Sequence, residues 1–314
     1  MKICSENYRS PSFNERGIAL VIVLWMLALM TILALAYSGM TRTESLLSHN
    51  MIHSAQARAQ AESGIWLAVN DLLKRVKSRQ FPADSSPVVI HSTQTDNLTI
   101  SIQDESGKID LNKASQQLLL GLIKSAGIDH DQSTRLVDAI LDWRDRDSLT
   151  RVNGAEDQQY ESMGYPYGAK DGTFNSIGEL MQIRGMTPSL YKKLKPLITV
   201  HSMQSRIRLN SAPSSVLNAL PDMSVELMTR IMSGRSNNET AIIPSILPDS
   251  IRPLVFTSGQ GNVYSVTSEA TVKGITSRLR VTLVLKKSGN QPITILKWQE
   301  NAPPLIQEPL QETL

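Results

Sequence analysis

The chain has 314 residues, 41% of them apolar and 19% charged, which is enough to build two domains and to bury a core. Its formal net charge of +3 lacks the strong basic excess expected of a protein whose main partner is a polyanion. The single cysteine, Cys4, excludes an intramolecular disulfide framework and any cysteine-rich metal site. The histidines form no HExxH pattern, and we expect no enzymatic activity.

A continuous apolar segment follows a short polar leader. Residues 18–37 read IALVIVLWMLALMTILALAY and contain no charged side chain. A helix over this segment spans roughly 30 Å, the thickness of the hydrocarbon core of a bilayer. The basic residues Lys2, Arg9 and Arg16 precede it, which predicts a single-pass protein with a cytoplasmic N-terminus and its remaining residues outside the cytoplasm.

Three interpretations of this segment are open. Ala34-Leu35-Ala36 offers a cleavage site for a secretory signal peptide. The segment is also long enough to be an uncleaved membrane anchor. Finally, Arg16-Gly17 directly before the apolar run that starts at Ile18 resembles the prepilin peptidase site of type IV pilins and type II secretion pseudopilins.

The helical pattern continues beyond the apolar run. No proline occurs from Ile18 to Phe81, and small and apolar residues recur at three-to-four spacing. The pattern predicts one helix over 18–81, with a transmembrane part over 18–38 followed by an amphipathic part. Pro82 is expected to end it.

Strand-like segments flank a helical region in the rest of the chain. The pattern predicts the first part of a β-domain over 82–105, an inserted α-helical domain over 106–203, the remainder of the β-domain over 204–300 and a flexible tail over 301–314. Within the second part, Val263–Val272 and Ile275–Leu285 alternate clearly. Lys273-Gly274 between them predicts the tight turn of a hairpin.

Seven segments, in chain order, resemble type II secretion system protein K. They are RGIALVIVLW at 16–25, AESGI at 61–65, DESGKIDLN at 104–112, AILDWRDRD at 139–147, GAEDQQY at 154–160, SIGELMQIRGM at 176–186 and LNSAPSSVLNAL at 209–220. The resemblance implies an α+β, pilin-like fold with a long N-terminal helix, an antiparallel β-sheet and a large inserted α-helical domain. It also implies a minor pseudopilin that caps and helps to initiate the periplasmic pseudopilus for protein export across the outer membrane.

The resemblance further implies processing, location and partners. Prepilin peptidase would cleave after Gly17 and leave Ile18 as a methylated N-terminus in the inner membrane, with the C-terminal part in the periplasm. The implied partners are the minor pseudopilins I and J, with the major pseudopilin below them. Exported proteins and the outer-membrane channel are further candidates, and no nucleic-acid partner is expected.

Ile22 becomes the fifth residue of the processed chain. Major pilins and pseudopilins carry a glutamate there, which can neutralise the buried N-terminal ammonium of a neighbouring subunit. Ile22 lacks a carboxylate, and the family to which the chain is similar lacks it as well. This predicts a subunit that enters first and stays on top of the fibre.

An acidic segment over 129–157 predicts a calcium site. Asp145, Asp147 and Glu156 mimic positions 1, 3 and 12 of an EF-hand loop, but Leu149 and Thr150 break that motif. The resemblance implies calcium bound in the α-helical domain nevertheless, and the alternative is a solvated acidic surface. The candidate ligands are Asp142, Asp145, Asp147, Glu156, Asp157 and Asp171.

The segment 176–197 resembles a helix-hairpin-helix. In DNA-binding versions of this module, hairpin amides and nearby lysines hold a phosphate, and Lys192, Lys193 and Lys195 are placed for that role. Thr187 replaces the usual second glycine and the surrounding domain is acidic, so we expect a packing module. The alternative function is a membrane-anchored, competence-type DNA-binding protein.

Overall fold

A computed structural model describes residues 16–75, 78–92, 95–236, 243–286 and 291–303. The predicted leader over 1–17 lies outside these residues as far as residue 15, and the predicted tail lies outside them from residue 304. The chain divides into two units, 1–56 and 57–314. The first helix, α1 (Arg16–Leu73), contributes residues to both.

The other elements follow in chain order. The helices are α2 (Gln116–Ser125), α3 (His130–Arg144), α4 (Asp157–Ser162), α5 (Pro188–Leu194), α6 (Ser214–Leu217), α7 (Val225–Ser236) and α8 (Ile243–Ile246). The strands are β1 (Asp84–Ser92), β2 (Thr95–Asp104), β3 (Ile109–Asp110), β4 (Ile198–Thr199), β5 (Ile207–Arg208), β6 (Val255–Phe256), β7 (Val263–Val272), β8 (Ile275–Leu285) and β9 (Ile293–Glu300).

In the first unit, α1 exposes its side chains to the surroundings. Every residue over 18–52 is exposed, including the whole apolar run. In the described part of the chain, one helix is long and apolar enough to cross a membrane, and its candidate region is Ile18–Leu73 of α1. The uncharged part of this helix, over 18–37, is long enough to cross a bilayer once and fits a single membrane anchor near the N-terminus.

In the second unit, α1 packs against one face of the main sheet. The buried residues of this contact include Ala61, Ile65, Ala68, Val69 and Leu72 on the helix and Leu98, Ile100, Ile102, Val266, Val281 and Leu283 on the strands. A Cβ at Gly64 would overlap the Oγ of Ser268 on β7. The glycine therefore lets the helix approach the sheet closely.

The helix ends eight residues earlier than predicted, at Leu73 instead of residue 81. Polar contacts close its end, because the Asp71 carboxylate accepts hydrogen bonds from the backbone N–H groups of Gln80 and Phe81. The Arg79 guanidinium donates to the carbonyl of Leu72 at 2.5 Å. The Arg79 bond satisfies a carbonyl at the helix end, and the Asp71 bonds hold the segment before Pro82 against the last turn of the helix.

The main sheet has five antiparallel strands in the order β1-β2-β7-β8-β9. The predicted hairpin lies at its centre, as strands β7 and β8. Lys273 and Gly274 between them have φ angles of +49° and +80°, the left-handed conformation that a two-residue hairpin turn needs. The predicted α+β class, with a long helix and an antiparallel sheet, is confirmed.

A helical region lies between β2 and β7, which are neighbours in the sheet. It occupies residues 105–262 and has a buried core of its own, from Ile109 to Val255. The structure differs here from the predicted return to the β-domain at residue 204. Helices α6 and α7 lie beyond that position, and strand β5 pairs in parallel with β6, outside the main sheet.

A buried ion pair joins this helical region to the sheet. Asp104, at the end of β2, lies 3.3 Å from the Nε of Arg208, and its carboxylate also accepts from the backbone N–H of Gly261. Arg208 donates to the carbonyl of Ser258 at 2.6 Å, and its guanidinium lies 4.6 Å from the ring centre of Phe256. The pair ties the outgoing and returning connections of the helical region together.

Candidate functional site

The processing residues lie in the first turns of α1. Gly17 is helical, and Ile18 and Ile22 are 58% and 54% exposed. Both isoleucines belong to the apolar surface of the candidate membrane span. The structure does not test cleavage after Gly17, which stays a prediction.

The candidate metal ligands lie on helices α3 and α4 and in the loops that follow them. Asp142 lies in the last turn of α3, and Asp145 caps the C-terminal end of that helix. Glu156 caps the N-terminal end of α4, and Asp157 is the first residue of α4. The remaining two candidates, Asp147 and Asp171, lie in the connecting loops.

A basic residue stands between two of these acids. The Nη1 of Arg151 lies 2.5 Å from an Asp142 oxygen and 2.5 Å from an Asp145 oxygen. The backbone N–H of Arg151 donates to the other oxygen of Asp142 at 3.3 Å. Burial lowers the pKa of Arg151, but its hydrogen bonds with Asp145 and Asp142 outweigh that effect and raise it.

Two glycines make room for the carboxylates. A Cβ at Gly154 would overlap an oxygen of Asp142, and a Cβ at Gly168 would overlap an oxygen of Asp157. Asp142 is fully buried, so its carboxylate is enclosed by the loop that carries Gly154. Any other residue at these two positions would push the acidic side chains out of place.

The acids act on one another electrostatically. Burial, followed by the nearby charges of Asp142, Asp171, Asp145 and Asp157, raises the pKa of Glu156 to about 7. Glu156 is only 5% exposed, and its Oε1 has no hydrogen-bond partner. The Oδ1 of Asp145 is also buried without a partner.

Carboxylates are the ligand type that a hard cation prefers. The two unpartnered oxygens and the mutual repulsion of the acids are features that a bound divalent ion would relieve. Calcium takes six to eight oxygen ligands and accepts irregular loops. Among the described residues, no three acidic or histidine side chains converge on one point as they stand here. Calcium binding therefore stays a prediction.

Sequence reasoning missed two residues of this site. Arg151 was not among the candidates, although it stands within ten residues of Asp142 and Asp145, the acids that it pairs with. Asp138 accepts hydrogen bonds from the backbone and the side-chain amide of Asn153, which fixes the loop over α3. The sequence signal for Arg151 was its position as a basic residue inside an acidic run.

An aromatic cluster packs beside the acidic loop. Trp143 follows Asp142 in α3, and its ring centre lies 5.8 Å from that of Tyr160. Tyr165 and Tyr167 complete the cluster, with 5.4 Å between their ring centres. The cluster anchors the end of α3 and the segment after α4, so it holds the elements that carry the acids.

The helix-hairpin-helix-like segment consists of a 3-10 helix over Ile177–Gln182 and of α5. Gly185 between them has a φ angle of +83°, as the hairpin requires. Two of the three lysines are engaged within the protein, since Lys193 donates to the carbonyl of Ala126 and Lys195 lies over the ring of Tyr191. These contacts fit the packing role that the sequence predicted.

Comparisons with known proteins agree with the resemblance seen in the motifs. Residues 96–203 match the family model described as "Type II secretion system (T2SS), protein K". The chain is 28% identical over 207 residues to the type II secretion system protein K of Pectobacterium carotovorum subsp. carotovorum, covering 59% of this chain and 62% of that one. It is 29% identical over 209 residues to the protein K of Aeromonas hydrophila, covering 59% and 63%. The chain thus spans a little under two thirds of the length of these curated relatives.

A solved structure shares the fold. A chain in the crystal structure of the GspK-GspI-GspJ complex from the enterotoxigenic Escherichia coli type 2 secretion system matches with a TM-score of 0.53. The match has 20% sequence identity and covers 84% of this chain and 99% of that chain. This likeness supports the fold, while the family model and the relatives confirm the predicted resemblance.

Proposed function

From this relationship to type II secretion system protein K, we propose that the chain is a minor pseudopilin that caps and helps to initiate a periplasmic pseudopilus. Its role is structural, as one end of a fibre that drives protein export across the outer membrane. The proposal rests chiefly on one observation, the helical region that interrupts the sheet between the neighbouring strands β2 and β7. An insertion over 105–262 is sterically hard to repeat along a narrow fibre but can be accommodated at its end.

The N-terminal segment supplies the membrane anchor in this proposal. The apolar run of α1 stores the subunit in the inner membrane, with the N-terminus in the cytoplasm and residues 57–314 in the periplasm. Prepilin peptidase removes the leader after Gly17 and methylates Ile18. The processed helix then packs with sister helices through apolar and small side chains.

The absence of a carboxylate at Ile22 gives a second reason for the end position. A buried ammonium without a partner costs several kcal/mol, so a subunit that offers a glutamate draws the next one into the fibre. Ile22 offers no such partner to a subunit above it. The chain therefore suits the uppermost position.

The proposed partners are the minor pseudopilins I and J, with the major pseudopilin below them. The solved complex that shares the fold contains GspK, GspI and GspJ, which supports this choice. Exported proteins and the outer-membrane channel are candidates for contact with the helical region at the fibre end.

Calcium is the proposed cofactor of the helical region. Its ligands would come from Asp142, Asp145, Asp147, Glu156, Asp157 and Asp171, whose carboxylates supply the hard oxygens that calcium prefers. When bound, the ion would neutralise the acidic loop between α3 and α4. The unpartnered oxygens of Asp145 and Glu156 support this assignment.

Mass spectrometry of the protein extracted from membranes of cells with an active prepilin peptidase tests the processing. We expect a mature N-terminus at methylated Ile18, and Gly17→Leu should block it while Gly39→Leu, a control in open space on the same helix, should not. A terminus at Tyr37 would select a secretory signal peptide, and an intact Met1 would select a plain anchor.

Immunogold labelling of assembled pseudopili tests the position in the fibre. We expect the label at one end, and label at regular intervals along the shaft contradicts the proposal. Ile22→Glu, with Ile32→Glu as the control, separates the two reasons for that position. Label redistributed along the shaft by Ile22→Glu alone would assign the end position to the missing carboxylate, whereas unchanged label would assign it to the helical region.

A further inference from the structure

Strand β9 forms one edge of the main sheet. Its inner side pairs with β8, and among the residues that the structure describes no strand pairs with its outer side. Alternate backbone N–H and C=O groups of an edge strand point outward and are available for hydrogen bonds with another chain. The eight residues of Ile293–Glu300 therefore present an extended row of donors and acceptors.

The opposite edge of the sheet, β1, is better protected against such pairing. Its residue Pro87 has no N–H, and its register with β2 shifts at two places, between Asp84 and Pro87 and between Ile90 and Ser92. Prolines and irregular register are features by which edge strands avoid pairing with other chains. Strand β9 contains no proline and has one register shift with β8, so it is the more open edge of the sheet.

The apolar face of the sheet continues onto β9. Val281 and Leu283 of β8 are buried under α1, and their partners on β9 are Trp298 and Ile295. Paired residues of neighbouring antiparallel strands lie on the same face of the sheet. Trp298 and Ile295 are nevertheless 37% and 43% exposed. The buried core beneath α1 takes its strand residues from β2, β7 and β8, so the helix leaves much of the edge strand uncovered.

The flank of α1 that faces β9 is also partly apolar and exposed. The Arg58 guanidinium pairs with the Glu300 carboxylate at the end of β9, which identifies this flank. Trp66 lies two turns after Arg58 on the same side of the helix and is 47% exposed. Apolar side chains therefore border the edge strand on its α1 side, and no other element in the described ranges covers them.

We propose that the outer edge of β9 binds an extended segment of a neighbouring minor pseudopilin, which pairs with it as an additional strand of the main sheet. The inference rests on the proposed function, because a place at the fibre end gives this chain a different pseudopilin as its neighbour. An extended segment satisfies the outward N–H and C=O groups of β9 in line. A helix cannot do so, because its own backbone groups are paired internally.

The two faces of β9 define the side chains that the segment carries. On the α1 side, its residues beside Ile295 and Trp298 are apolar, because they complete the burial of the core face. On the opposite side, Lys297 is exposed and favours an acidic partner residue. The segment thus alternates apolar and polar residues, as a half-buried strand does.

Hydrogen exchange followed by mass spectrometry tests the pairing on the full chain in detergent, alone and with the minor pseudopilins I and J. We expect the amides of 293–300 that face away from β8 to exchange rapidly in the isolated protein and at least about tenfold more slowly in the complex. The residues of β1 provide an internal control, because that edge should exchange equally in both states.

Ile295→Lys places a charge in the apolar face of the edge strand and should weaken binding to the minor pseudopilins by about tenfold or more. Val89→Lys is the matched control, because Val89 is β-branched, lies on the opposite edge strand and is 50% exposed against 43% for Ile295. It should change the affinity by less than about twofold. Thermal unfolding checks the fold of each variant, and Leu296→Lys, at a residue that is 46% exposed, repeats the test if Ile295→Lys unfolds.

Two results separate this inference from the proposed function. If pseudopilins I and J bind but neither protect β9 nor distinguish Ile295→Lys from Val89→Lys, the docking at β9 is wrong while the minor pseudopilin role stands. If the wild-type protein binds neither of them, the proposed partnership and the docking both fail.

Two other occupants of the edge would also overturn the inference. If sedimentation equilibrium of the isolated protein shows a dimer that Ile295→Lys dissociates, the edge receives a second copy of this chain. If the isolated monomer already protects β9 from exchange and deletion of 304–314 removes that protection, the edge receives the C-terminal segment of its own chain.

Discussion

At the scale of single residues, the acidic loop contains buried carboxylates whose charges are only partly neutralised by neighbouring groups. Asp142 is fully buried and has Arg151 as its counter-ion. Glu156 is nearly as enclosed, and its pKa of about 7 reflects burial first and its acidic neighbours second. The loop is therefore under electrostatic strain near neutral pH, which a cation or a proton can relieve.

The raised pKa of Glu156 predicts a pH dependence of the metal-free protein. Because the folded state holds a proton that the unfolded state has lost, the free energy of unfolding falls as pH rises from 4.5 to about 7. Glu156→Gln should be more stable than the wild-type protein at about pH 8 and equally stable below about pH 4. Chemical denaturation in the presence of a chelator measures the difference. A constant difference between the two proteins at all pH values would contradict the assignment.

A side chain in place of Gly107 should cause a steric clash at the start of the helical region. A Cβ there would overlap the backbone carbonyl of Ser211, which cannot rotate away as a side chain could. Gly107→Ala should lower the free energy of unfolding by about 1–3 kcal/mol. Gly172→Ala is the control, because its new Cβ would come no nearer than 3.7 Å to the carbonyl of Lys170. Equal stability of the two alanine variants in urea would show that the chain adjusts at Gly107.

At the scale of elements, two contacts organise the second unit. The C-terminal part of α1 covers one face of the sheet, and Gly64 permits its close approach to β7. The Asp104–Arg208 pair joins the end of β2 to β5 and, through Gly261, to the chain that returns to β7. Burial raises the pKa of Asp104 in spite of its hydrogen bonds and its partner.

Removal of one charge from the buried Asp104–Arg208 pair should lower the free energy of unfolding strongly. Arg208→Met should lower the free energy of unfolding by about 3–5 kcal/mol, because Asp104 would be left buried without its counter-ion. The exposed pair of Arg230 and Glu226 on α7 offers the control, and Arg230→Met should cost no more than about 0.5 kcal/mol. Equilibrium unfolding of both variants makes the comparison. A loss below about 1 kcal/mol for Arg208→Met would show that the pair contributes little.

At the scale of the whole molecule, the chain combines an exposed apolar helix with a folded unit that has two cores. One core lies between α1 and the sheet, and the other lies within the helical region. The exposed apolar run has no protein partner within the described residues over 18–52, where every residue is exposed. An apolar surface of this length fits a single membrane span.

Membrane anchoring is therefore sensitive to charge in that run. Leu27→Arg combined with Met30→Arg should release the protein from membranes, because each arginine near the centre of a span costs about 2.5–3.5 kcal/mol. The fraction that sediments with membranes after an alkaline wash measures the effect. Leu149→Arg with Val152→Arg, both highly exposed in the acidic loop, should leave that fraction unchanged. Full retention of the first variant would contradict a single anchor at 18–38.

The local sequence pattern was sufficient to predict the elements that depend only on neighbouring residues. The apolar run of α1 and the β7–β8 hairpin with Lys273-Gly274 were predicted correctly, because helix length, alternation and turn conformation depend on neighbouring residues. The acidic residues of the candidate site were visible for the same reason. The order of strand-like and helical segments, together with the resemblance of ordered motifs, indicated the fold class.

Tertiary structure alone decided what depends on contacts between distant residues. The helix end at Leu73 depends on Asp71 and Arg79, and the extent of the helical region depends on burial of α6 and α7 in a core shared with α2 and α3. The bridge from Arg151 to two acids likewise needs the loop to fold back over α3. Sequence patterns report the periodicity of one segment, whereas burial and ion pairing arise only when separate segments pack together.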